Sequence, residues 1–352
     1  MSITTAPFGQ TNDGEPVIKT TLTNRHGHRV SLMSWGAAIL EVEVPDRNGT
    51  LANVNLVFDS LEPYLGTHPG FGSTMGRFCN RIGLGRFSID GVPHQVTVNH
   101  GKHCLHGGKV NFSHLNWDTE TIAGDPNGAE AADRADRVRY ALVSPDGDEG
   151  FPGELTVTTE YCWNDDDELT IEYTASTSAA THVNLTNHSY WNLGGVDSGT
   201  VLDHVAVIPA DEVLQVDEDL IPTGEMVRVE GTPFDFRSAT AFAKRIAALS
   251  ATKGYDHCYV VAGEAGQLRR AARVIDPQSG RILEVETTQP GMQLYTANHL
   301  RGNESSNGHG PHDAFCLETQ HYPDTPNHPN FPSTLLRPDE KFHEITVHRF
   351  SR

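Results

Sequence analysis

Hydrophobic side chains, with one β-branched threonine, recur at every second position through the middle of the chain: Val138, Tyr140 and Leu142, then Leu155, Val157, Thr159 and Tyr161, then Leu169, Ile171 and Tyr173. Neighbouring side chains of an extended strand point to opposite faces, so this period of two predicts strands with one face buried and one in water. Between them lie Ser144-Pro-Asp-Gly-Asp-Glu-Gly-Phe-Pro-Gly153 and Trp163-Asn-Asp-Asp-Asp-Glu168. Such clusters favour tight reversals, and the spacing predicts a meander of antiparallel hairpins. Residues 238–249 (SATAFAKRIAAL) read as an amphipathic helix, with Ala241, Ile246 and Leu249 among the apolar positions. Strand patterns run from the first 40 residues to Ile345-Thr-Val-His348 without an internal repeat or a shift in composition. Residues 1–352 are therefore expected to form a single all-β domain with few short helices. So many strands must stack or close to cover their edges, which predicts a large, twisted antiparallel β-sandwich whose loops are free to form a cleft. The small, acidic segment 123–136 reads as a solvated surface loop.

Charge narrows the partners. The chain carries 26 Lys+Arg against 46 Asp+Glu, a net charge of −20, which repels nucleic-acid phosphates and anionic lipid surfaces alike. Neither is an expected partner. Hydrophobic residues make up 37% of the chain, enough for a core in 352 residues. No window of about 18 apolar residues occurs, and Met1-Ser-Ile-Thr-Thr-Ala-Pro-Phe-Gly lacks the pattern of a secretion signal. The five cysteines, at 79, 104, 162, 258 and 316, are scattered and never form a C-x-x-C pair, which points to a reducing compartment. The expected location is the cytoplasm.

Four stretches place polar residues among apolar or glycine-rich neighbours, where an unpaired polar group costs about 1–3 kcal/mol and so calls for a partner or a ligand. They are Gly76-Arg-Phe-Cys-Asn-Arg-Ile82 with Gly101-Lys-His-Cys-Leu-His-Gly-Gly108; Asn184-Leu-Thr-Asn-His-Ser-Tyr-Trp-Asn-Leu-Gly-Gly195; Gly254-Tyr-Asp-His257; and Pro290-Gly-Met-Gln-Leu-Tyr295 with Phe315-Cys-Leu-Glu-Thr-Gln320. Glu318 interrupts an apolar strand pattern, where desolvation raises a carboxyl toward the range of a general base; a Glu on the outer face of an edge strand fits the same pattern. His188 stands among Asn184, Asn187, Ser189 and Asn192, side chains able to orient an imidazole, or to satisfy a buried structural one. Arg81 beside Asn80 is either a planar donor for ligand oxygens or half of a salt bridge. Asp256 suits turn capping or ligand binding, Gln293 backbone pairing or ligand binding, and His106 a turn or a site.

Nineteen histidines raise the question of metal. His103-x-x-His106 and His309-x-x-His312 are spaced loosely, with others at His94, His100, His321 and His328, but they lie in Gly- and Pro-rich loops, and no H-E-x-x-H or cysteine cluster joins them. No metal is expected. A G-x-S-x-G elbow and a glycine-rich phosphate loop are also absent. Acid/base work on an uncharged ligand remains.

Taken in order, these segments resemble the aldose 1-epimerases, or galactose mutarotases. The likeness also takes in Trp35-Gly-Ala-Ala-Ile-Leu40, Val44-Pro-Asp-Arg-Asn-Gly49 and Asp217-Glu-Asp-Leu-Ile-Pro-Thr-Gly-Glu225, and so spans nearly the whole chain. The resemblance implies a large antiparallel β-sandwich with an open sugar cleft, no cofactor, and interconversion of the α and β anomers of free hexoses. It assigns Glu318 as general base and His188 as general acid, and Asn80, Arg81, His106, Tyr190, Asp256 and Gln293 as substrate-binding. Trp191 stands where many members have Phe, and either it or Tyr190 would supply an aromatic face. The 68–75 run is looser than the family pattern. The implied partner is a small aldose, and the chain a monomer or homodimer.

Anomer exchange needs a proton taken from the hydroxyl on C1 while the ring oxygen gains one. A carboxylate and an imidazolium on opposite sides of the sugar would supply both transfers and a bell-shaped pH profile, rising as Glu318 ionises and falling as His188 loses its proton. A non-catalytic sugar-binding module and an epimerase of hexose 6-phosphates are the alternatives; the latter calls for a cluster of Arg or Lys, and only Arg77 and Arg81 lie near.

Overall fold

The computed structural model describes residues 1–125 and 135–352. The expected hairpins form: Asp136–Ser144, Leu155–Trp163 and Glu168–Thr177 pair antiparallel in unbroken register, with Leu155 opposite Thr177 and Tyr161 opposite Ile171. They sit in a nine-stranded sheet ordered Asp118–Ile122, Asp136–Ser144, Leu155–Trp163, Glu168–Thr177, Phe342–Ser351, Ile282–Thr287, Arg269–Ile275, Val205–Val207, Thr240–Ala241. The C-terminal strand thus lies at the centre, between strands that precede it by more than a hundred and about sixty positions along the chain.

Two five-stranded sheets accompany it. One is a meander of Ser2–Gln10, Pro16–Thr23, Arg29–Met33, Ala38–Pro45 and Leu51–Asn53; the other runs Pro222–Arg228, Glu212–Val216, Asp256–Val260, Gly291–Tyr295, Cys316–Gln320. One hydrophobic cluster joins all three: Leu32 and Ile39 of the first, Val157 and Ile171 of the nine-stranded sheet, Met292 and Leu294 of the third. Removal of each such side chain from water stabilises the fold by about 1.5–3 kcal/mol. Tyr161 crosses between sheets, its hydroxyl donating to the carbonyl of Ala37 at 2.6 Å. The opposite face of the nine-stranded sheet carries charge, with Arg139 on Glu160 and Glu120, and Arg349 on Glu168. The predicted layered, all-β architecture is present.

Two sequence expectations are corrected. Within 238–249 only Ala243–Ile246 is helical, because Thr240–Ala241 pairs with the strand Val205–Val207 as the edge of the sheet instead. The helix Glu62–Leu65, also of four residues, was not anticipated. The expected loop 123–136 ends sooner: Ala135 is buried and Asp136 opens a strand, while 126–134 lie outside the described residues. Among the described residues no helix is long and apolar enough to cross a membrane.

Candidate active site

Three neighbouring strands of the third sheet place three of the predicted residues together. Asp256 begins Asp256–Val260, Gln293 lies in the middle of Gly291–Tyr295, and Glu318 in the middle of Cys316–Gln320, directly opposite Gln293. The last two strands are buried at every position, so Glu318 is a carboxyl in an apolar strand, only 3% exposed.

His188 arrives from another direction. It follows the two-residue strand Thr186–Asn187, and its backbone is held on both sides: its N–H donates to Ser73 O at 2.9 Å and its carbonyl accepts from Gly72 N–H at 3.0 Å. Gly72 has φ +66°, and a Cβ there would sit 1.8 Å from the carbonyl oxygen of Ile39, so only glycine lets this loop close on His188. The asparagines near His188 do not touch its ring. Asn187 donates to Gly72 O, Asn184 to His321 O, and Asn192 to Gly199 O and Asp313 O, all stapling loops. The ring instead stacks on Tyr190 (centroids 4.9 Å apart, 16°) and meets the edges of His106 and Tyr295.

Asn80 and His106 lock one another. His106 N–H donates to Asn80 O at 2.9 Å, and Asn80 N–H donates to His106 Nδ1 at 3.1 Å. Both residues have left-handed backbones, φ 58° and 52°, at a cost of about 1 kcal/mol or more each that these reciprocal bonds offset. Asn80 Oδ1 also accepts from Arg81, whose guanidinium is thereby aimed at Asp256, 3.5 Å away.

Asn80, Arg81, His106, His188, Tyr190, Asp256 and Glu318 all line one open cleft of about 1080 Å³. Gln293 does not; it lies beneath and donates to Asp256 Oδ1 at 2.7 Å, so it orients Asp256. Trp191 is likewise outside, fully buried against His348 and Phe350. Arg77 is spent on the carbonyls of Ser144, Pro152 and Gly153. The sequence reading missed Cys316, whose Sγ lies 3.6 Å from His188 Nδ1. The period-two rule was the available signal, since residues 316 and 318 of one strand share a face.

His188 Nε2 and Glu318 Oε2 are 3.6 Å apart. That leaves no room for a pyranose ring between them, so the expected placement on opposite sides of the sugar is corrected: the two groups stand side by side on the cleft floor. Burial, reinforced by the charge of Asp256, pushes Glu318 up to about 8. Burial pushes His188 down to about 4, against the pull of its own carbonyl and Asp256. Near neutral pH the site therefore holds a protonated carboxyl beside a neutral imidazole, and the pair carries one exchangeable proton.

Hydrogen bonding sorts the surrounding histidines. His68, His103, His106 and His257 each accept a backbone N–H at Nδ1, from Gly70, Leu84, Asn80 and Asp256 respectively. With that lone pair used, the ring proton of the neutral form sits on Nε2, and each is a fixed donor. One donor atom from each of His106, His188 and Glu318 lies within 4.8 Å of the other two, a metal-like cluster. A metal needs a free lone pair, and His106 has none at Nε2, so the trio suits proton exchange rather than ligation. His103, His309 and His312 join no three-donor cluster among the described residues, and His321 and His328 are engaged by Glu344 and Asp324.

Residues 19–349 match the family model described as aldose 1-epimerase. The chain is 42% identical to the galactose mutarotase of Bos taurus, over 100% of this chain and 99% of that protein. It is 36% identical to the aldose 1-epimerase of Escherichia coli, over 96% of each. The crystal structure of galactose 1-epimerase from Lactobacillus acidophilus superposes with a TM-score of 0.87 at 26% identity, covering 100% of this chain and 99% of that one. An open cleft built on a β-sandwich, with a family model and full-length relatives that agree, leads to one conclusion: this chain belongs to the aldose 1-epimerase family.

Proposed function

We propose that this chain interconverts the α and β anomers of free aldohexoses such as galactose and glucose, with His188 and Glu318 as its acid/base pair. The observation that carries the assignment is the 3.6 Å approach of these two groups at the floor of the cleft, each held away from its ordinary protonation state. The hydroxyl oxygen on C1 and the ring oxygen are bonded to the same carbon, so two adjacent groups reach both from one side.

Glu318 as carboxylate takes the proton of the C1 hydroxyl while His188 as imidazolium gives one to the ring oxygen. The bond from C1 to the ring oxygen breaks, and C1 becomes an aldehyde. This step leaves a neutral carboxyl and a neutral imidazole, the very state that burial favours, so the cleft stabilises the open-chain stage relative to the ion pair. Rotation about the C1–C2 bond presents the other carbonyl face, and the same protons return to close the ring. His106, a fixed neutral donor, and Arg81 face the oxygens where charge gathers. Asp256, oriented by Gln293, joins Asn80 in holding ring hydroxyls, with Tyr190 as the aromatic wall.

A sugar-binding module without catalysis does not call for a desolvated carboxyl with a buried, unpartnered oxygen, which Glu318 has. The five unpaired cysteines support the cytoplasm as the setting, and a monomer or homodimer is the assembly proposed. The test is polarimetry with freshly dissolved α-galactose and α-glucose. Glu318→Gln and His188→Asn each lower turnover at least about a hundredfold without loss of fold. Near-normal rates in either variant sink the assignment.

A further inference from the structure

We propose that Cys316 is a positioning residue: its sulfur accepts the Nδ1–H of His188, which leaves Nε2 as the nitrogen that takes up and returns the travelling proton. The inference rests on the reading of His188 as the acid/base group.

The geometry distinguishes His188 from its neighbours. The four histidines at 68, 103, 106 and 257 all meet a backbone donor at Nδ1. Such a ring cannot accept a proton at Nε2, because its Nε2 already carries one. His188 Nδ1 meets Cys316 Sγ at 3.6 Å and its own carbonyl, both able to accept. A neutral His188 with its proton on Nδ1 turns the Nε2 lone pair toward Glu318 Oε2. The proton then moves from Glu318 to Nε2 in one hop, and from Nε2 to the ring oxygen in the next, with Nδ1–H resting on sulfur throughout. No bond to sulfur forms or breaks.

Sulfur is a weak acceptor, but Cys316 is fully buried, where a hydrogen bond is electrostatically stronger than in water. The carbonyl of His188 also accepts from Gly72 N–H, and sulfur gives Nδ1–H a second acceptor beside it. The thiol stays a thiol: burial and Glu318 push it well above its usual range. The other groups facing the His188 ring are Glu318 from the same strand as Cys316, His106, Tyr190 and Tyr295, with Asp256 and His68 acting from farther off.

Nitrogen-15 NMR of the full chain tests the tautomer directly, with the His188 signals assigned by their loss in His188→Asn. Expected is a protonated Nδ1 and an unprotonated Nε2 at neutral pH. Cys316→Ala is expected to lower kcat about fivefold with KM within about twofold, and to move the acid limb of the kcat profile to lower pH, since the imidazolium loses an acceptor. Cys316→Ser, whose oxygen accepts an N–H better than sulfur, is expected to stay within about twofold of the parent. A wild-type ring protonated at Nε2 overturns the proposal, as does an alanine variant with unaltered kcat and acid limb, or a serine variant no better than alanine. Should the alanine variant fail to fold, the wild-type spectrum and the serine variant still decide. Loss of this inference leaves the His188→Asn result standing, and normal activity in His188→Asn would remove the catalytic reading without touching the tautomer.

Discussion

Glutamates on the outer face of the nine-stranded sheet and the glutamate at the cleft floor are the same side chain handled in opposite ways. Glu160 lies 2.8 Å from Arg139, and Glu168 2.6 Å from Arg349, each half-buried with a partly exposed guanidinium as its partner. Glu318 is almost wholly removed from water, with the imidazole of His188 at 3.6 Å and one oxygen without a hydrogen-bond partner. Surface pairs contribute little because solvent screens them, whereas a lone buried carboxyl costs stability and gains reactivity. The contrast separates what holds the fold from what works on a substrate.

Exchanging the two glutamates is the sharpest way to break that comparison. Glu318→Gln abolishes all but about one part in a hundred of the turnover, while Glu160→Gln leaves it unchanged, as read by polarimetry. Equal loss in both would mean that the cleft floor has no special role. The pH profile sharpens the same point. It is expected to be bell-shaped, with its plateau between about 4 and about 8. The limbs exchange the origins expected from sequence: activity falls below the plateau as His188 gains a second proton for the pair, and above it as the single shared proton leaves Glu318. A flat rate from pH 5 to pH 9 counts against it.

Stability responds in the reverse sense to activity. The folded carboxyl of Glu318 sits near 8, above its unfolded value of 4.5, so its contribution is fully present below pH 4.5 and is lost as pH rises through 8. Glu318→Gln removes that loss, and the variant is expected to exceed the parent by on the order of 2 kcal/mol at pH 8 and by little at pH 5, as measured by denaturant melts. A gap that shrinks toward alkaline pH refutes the assignment. Gln293→Ala frees Asp256 to turn, and is expected to raise KM about fivefold with kcat less affected. Least of all, Glu160→Gln costs under about 1 kcal/mol, less still at high salt.

Much of the molecule was legible beforehand. The alternation in 138–173 predicted three strands and their turns because one face of each is buried against the opposing sheet, and a period of two records that directly. Helical periodicity at 238–249 misled, since a short amphipathic run competes with any sheet edge in reach, and the backbone of Val205–Val207 supplied one. For the site, the resemblance identified the residues while the chemistry of their surroundings stayed hidden. Gln293 and Trp191 carried no mark of whether they face the cleft or the layer beneath it.

By itself the sequence determined the strand pattern, the family and the residue types that acid/base exchange requires, because these depend on local periodicity and on side-chain chemistry. Only the tertiary structure decided that His188 and Glu318, far apart along the chain, stand beside each other rather than on opposite sides of a sugar, and that His68, His103, His106 and His257 carry their ring proton on Nε2. Burial and hydrogen-bond partners set those properties, and both come from segments brought together across the fold: a glycine loop under His188, a reciprocal lock at Asn80 and His106, and a strand that carries Cys316 and Glu318 on one face.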